Sequence, residues 1–75
     1  MKEKANLENF RKLGLNIAYY RKLHQMSQMQ LSEAVGISRT HMSRIENCDS
    51  AVSLDVIFRI AEALDEPVYK LFEFR

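Results

Sequence analysis

Cysteine is almost missing from this 75-residue chain. Cys48 stands alone, so no disulfide can form within the chain, and a bystander thiol in a reducing compartment is the plain reading. One proline and two glycines are too few for a strand-and-turn fold, and Gly36 and Pro67 sit at candidate element ends. There is no tryptophan. No apolar run approaches the roughly 20 residues of a membrane span, and the polar start, Met1 to Asn9, carries no signal-peptide pattern. A cytoplasmic protein without a membrane partner is therefore expected. The ligand types of a metal site are also lacking, since one Cys and two scattered His (His24 and His41) have no metal-binding spacing. Those residues and the serines form no triad pattern, and no glycine-rich phosphate loop occurs. Neither an enzyme nor a metal or other cofactor is expected.

What is present reads as one soluble domain. Hydrophobic residues make up 47% of the chain and charged residues 28%. This length lies near the lower limit for folding without metals or disulfides, and it leaves no room for a sensor domain, so no small-molecule ligand is expected. The net charge of +1 conceals an asymmetry. Residues 1–45 hold eight basic and three acidic side chains, a surplus of +5; residues 46–75 hold three and seven, a deficit of −4. Local positive charge suffices for a small protein that meets nucleic acid with one face. The charge alone fits an ordinary solvated surface better.

Periodicity and caps divide the chain into helices. Phe10, Leu13, Ile17 and Tyr20 recur every three or four residues, which predicts a first helix over 7–24 with Asn6 as N-cap. Ser27 with Gln30 fits a capping box that opens a second helix, with Leu31 and Val35 facing inward. Gly36 should stop that helix in a left-handed conformation. After Ile37, Ser38 caps a third helix, 38–46, with Met42 and Ile45 as its buried stripe. Asn47 to Val52 reads as a polar loop. Ser53 caps a fourth helix, with Asp55 in its first turn and an expected apolar stripe of Leu54, Ile57, Phe58, Ala61 and Leu64. Beyond Pro67, a short fifth helix should close the core with Val68, Leu71 and Phe72.

Two short helices joined as tightly as 27–35 and 38–46 cannot lie antiparallel; they cross steeply and the second protrudes. A helix of about nine residues fits the major groove of B-DNA, about 12 Å wide. The run Met26-Ser27-Gln28-Met29-Gln30-Leu31-Ser32-Glu33-Ala34-Val35-Gly36-Ile37-Ser38-Arg39-Thr40-His41-Met42-Ser43-Arg44-Ile45-Glu46-Asn47 resembles the helix-turn-helix of phage repressors and Cro proteins, the xenobiotic-response-element family. The likeness reaches back to Leu13-Gly14, Ile17 and Arg21 and forward through Ser53-Leu54 to Ile60-Ala61-Glu62-Ala63-Leu64.

The resemblance implies an all-α, five-helix fold of the lambda-repressor type over residues 1–75, with the helix-turn-helix proper at 27–46. It implies a sequence-specific transcriptional regulator of double-stranded DNA, most simply a repressor, with helix 38–46 in the major groove. Carried over position by position, Arg39, Thr40, Ser43 and Arg44 are the expected base readers. Gln28, Ser38 and Asn47 are expected on phosphates, which position a protein without reading sequence. Ser38 has capping as its alternative role. His41 either touches phosphate or packs beside Met42. Arg21 and Glu46 match a pair that forms a salt bridge between helices 1 and 3 in the family.

Two positions depart from the family pattern. Cys48 stands where a glycine usually follows helix 3, and Met29 takes a usually polar place. Such domains bind as homodimers on half-sites about 34 Å apart. Tyr69 and Phe74 are the candidate surface for that contact, with intramolecular packing as the alternative. A protein-interaction module, antitoxin-like, is the rival function. The basic, hydrogen-bonding outer face of helix 38–46 favours DNA.

Overall fold

In the computed structural model, residues 2–47 and 51–74 are described, with side chains from Asn6 onward. The expectation about Cys48 falls outside these residues. Four α-helices follow one another: α1 (Lys2–Leu23), α2 (Gln28–Val35), α3 (Arg39–Glu46) and α4 (Leu54–Leu64). A 3₁₀ helix, Val68–Phe72, takes the place of the expected fifth α-helix. The chain is thus all-helical among the described residues, with four α-helices rather than five.

Serine caps set three of the four helix starts. Ser27, Ser38 and Ser53 all have extended backbone, and each hydroxyl accepts from the amide three residues on. At α2 the capping box is complete: the Gln30 amide donates to Ser27 Oγ at 3.0 Å, and the Ser27 amide donates to Gln30 Oε1 at 2.8 Å. Gly36, at φ +87°, ends α2, and its amide and that of Ile37 both donate to the Ser32 carbonyl. α1 starts at Lys2, so Asn6 lies inside it and is not its cap. The Lys2-Glu3-Lys4-Ala5 segment consists of good helix formers with no stop signal, so the helix continues upstream.

The core gathers Leu13, Ile17 and Tyr20 of α1, Leu31 and Val35 of α2, Met42 and Ile45 of α3, and Ile57, Ile60, Ala61 and Leu64 of α4. Leu71 of the 3₁₀ helix closes it. Two expectations fail here. Leu54 and Phe58 are 64% and 54% exposed, because the inward stripe of α4 is 57, 60, 61 and 64 and both residues lie on its flank. Phe72 is also exposed. With three residues per turn in a 3₁₀ helix, Val68 and Leu71 stack toward the core and Phe72 turns aside.

Polar ties fix the periphery. The Asn16 amide donates to the carbonyls of Leu71 and Glu73, holding the 3₁₀ helix to α1. His24 Nε2 meets Glu66 Oε2 at 2.8 Å, joining the end of α1 to the turn after α4. Separately, α3 turns Met42, Ile45 and Glu46 inward and leaves its other face outward.

Candidate nucleic-acid interface

α3 is presented by a three-residue connection. Gly36 takes the left-handed turn, Ile37 packs against the core, and Ser38 starts the next helix. Met42, Ile45 and Glu46 are buried, which anchors one side of α3. Thr40 and Arg44 are exposed on the other side, Ser43 is half-buried beside them, and Arg39 is exposed at the first residue of the helix. At 1.5 Å per residue, Thr40 and Arg44 stand about 6 Å apart along the axis, one turn. Two guanidinium groups and a hydroxyl are thus exposed on one short rod. Guanidinium can grip guanine O6 and N7 with two parallel hydrogen bonds, and a threonine can meet a thymine methyl or donate to a base.

The residues expected on phosphate are placed as follows. Ser38 is exposed; its hydroxyl oxygen caps α3 by accepting from the His41 amide, and the same hydroxyl can still donate its O–H. His41 is half-buried and shares a shallow depression with Ser38, Thr40 and Arg44. Asn47 caps the C-terminal end of α3 and donates through Nδ2 to Ser43 Oγ at 3.3 Å. Gln28 opens α2, half-buried, and donates through Nε2 to Glu46 Oε1 at 3.1 Å. Nothing in the sequence marks that contact. Met29, in the same turn, is exposed.

Behind α3 lies a buried polar junction. Arg21, 9% exposed, donates through Nε to Glu46 Oε2 at 2.7 Å and through Nη2 to Glu46 Oε1 at 3.0 Å. Glu46 is 7% exposed. The third arm of the guanidinium, Nη1, donates to the Met26 carbonyl at 2.7 Å, just before the α2 cap. Residues of α1, α2 and α3 therefore meet at one carboxylate. Removing either charge would leave the other buried without this ion pair.

On the far side of α1, Phe74 lines an open groove with Lys12, Leu15, Asn16 and Tyr19. Lys12 Nζ sits 5.9 Å from the Phe74 ring centre. Phe74 is 37% exposed and Tyr69 59%. No described residues gather three His, Cys, Asp or Glu into a metal site, and no described helix is long and apolar enough to cross a membrane.

The helix-turn-helix family model matches residues 17–71, from the middle of α1 to the 3₁₀ helix. This chain belongs to the helix-turn-helix family. The control protein C.SmaI of Serratia marcescens is 36% identical over 59 residues, 79% of this chain and 70% of that protein. The antitoxin PezA of Streptococcus pneumoniae is 44% identical over 45 residues, 60% of this chain but only 28% of that antitoxin. Among solved structures, the restriction–modification controller protein C.AhdI from Aeromonas hydrophila superposes with a TM-score of 0.84 at 29% identity. That alignment covers 87% of this chain and 98% of the controller. The family and this likeness agree with the all-helical helix-turn-helix architecture.

Proposed function

We propose that the protein is a sequence-specific double-stranded-DNA-binding transcriptional regulator that acts as a repressor and reads the major groove with helix 38–46. The observation that carries this reading is the exposure of Arg39, Thr40 and Arg44 on a helix whose opposite side is locked in by Met42, Ile45 and Glu46. Base reading falls to Arg39, Thr40, Arg44 and Ser43. Phosphate contact falls to Ser38, His41 and Asn47, and to the amide N–H of Gln28 that Glu46 does not take. The chain forms one domain, with 27–46 as the helix-turn-helix proper, and works in the cytoplasm without a cofactor or small-molecule ligand. Its likeness in fold to C.AhdI and in sequence to C.SmaI supports a controller of gene expression whose own concentration sets its effect.

A homodimer on two half-sites completes this reading, because one short helix contacts few base pairs. Tyr69 and Phe74 supply exposed aromatic surface for the contact. An antitoxin-like interaction module is the second reading, favoured by the PezA match. The outer face of α3 favours DNA instead, being basic and rich in groups that can hydrogen-bond phosphates and base edges.

Selection of bound duplexes from a random pool tests the proposal. A palindromic consensus with half-sites one helical turn apart is the expected result. A pool that stays random after enrichment would refute sequence-specific reading and leave the interaction module in its place.

A further inference from the structure

The Gln28 amide joins the first residue of α2 to the last residue of α3, since it donates to the same carboxylate that Arg21 grips. Arg21 in turn holds the Met26 carbonyl, two residues before Gln28. The start of α2 is thus fastened twice to one buried cluster, and so is the end of the recognition helix. A primary amide carries two N–H donors, and the contact with Glu46 uses one of them.

We infer that Gln28 is a positioning residue for base reading: acting through Glu46, it sets the tilt at which α3 meets the groove. The inference rests on the DNA-reading proposal above. It differs from a plain phosphate contact in what its loss would do. A phosphate contact contributes to every duplex alike. A tilt matters only where Arg39, Thr40 and Arg44 must meet particular base edges. A small rotation at the Glu46 end is carried along the rod to these three side chains.

The test is Gln28→Met in the full chain, which keeps the side-chain length and its packing but removes the amide. Affinity is measured for a duplex taken from the random-pool selection and for a scrambled duplex of the same length, at one salt concentration. The selected duplex should lose about fivefold relative to the scrambled one, the equilibrium equivalent of one hydrogen bond. Backbone residual dipolar couplings of the free protein give a second readout. Those of α3 should depart from the wild-type orientation while those of α1 and α4 keep it. Equal weakening on both duplexes, or an unmoved α3, would overturn the inference. A wild-type protein with no preference between the duplexes would instead refute the DNA-reading proposal, and the dipolar couplings would still decide the orienting role of Gln28.

Discussion

Arg21→Met puts the buried junction to the test. The substitution leaves Glu46, 7% exposed, without its cation and retains the Gln28 amide as a donor. Breaking a buried pair by removing one partner costs about 3–5 kcal/mol. The Gln28 hydrogen bond offsets about 1 kcal/mol of that. A loss of about 3 kcal/mol is therefore expected, a large share of the roughly 4–11 kcal/mol available to a domain of this size. Urea unfolding followed by far-ultraviolet circular dichroism measures it. With an m-value of about 1 kcal/mol/M, the midpoint should fall by about 3 M. The double variant Arg21→Met/Glu46→Met removes both charges and should recover most of the loss, since apolar replacements of buried pairs are often neutral. A single-variant loss under about 1 kcal/mol, the magnitude of an exposed ion pair, would refute the reasoning.

Other expectations follow from the same structure. Met42→Ala opens the fully buried face of α3 and should cost about 2–5 kcal/mol by chemical denaturation. Ser38→Ala removes the acceptor of the His41 amide and should cost about 1 kcal/mol, read as a lower melting temperature. Asp65 ends α4 at φ +55°, where glycine meets no Cβ penalty. Asp65→Gly should raise stability by about 0.5–1 kcal/mol, and a clear loss in the same unfolding assay would show that the aspartate side chain supports the turn.

The helix order and most boundaries were legible because short-range chemistry sets them. Ser27, Ser38 and Ser53 cap by a contact three residues away, and Gly36 stops α2 through its own φ. The buried faces of α1, α2 and α3 follow a period visible in the chain. What escaped is decided at longer range. Leu54 and Phe58 look like core residues in a list of apolar positions, but the rotation of α4 against its neighbours leaves them outside. Phe72 turned outward because the last element is a 3₁₀ helix, and its three-residue period differs from that of an α-helix. The partner of Gln28 lies 18 residues away on another helix, and no local pattern announces it. The outward side chains of α3 could be named because burial of Met42 and Ile45 sets which side is left over. Their roles toward DNA came from the family resemblance.

The decisive measurement is a titration of the selected duplex with the wild-type protein and with the Arg39→Ala and Arg44→Ala variants, each alongside a scrambled duplex. Each variant should lose about 1–3 kcal/mol on the selected duplex, with relaxed base preference at one position of each half-site. Undiminished affinity and unchanged base preference in both variants would contradict the assignment of α3 as the reading helix.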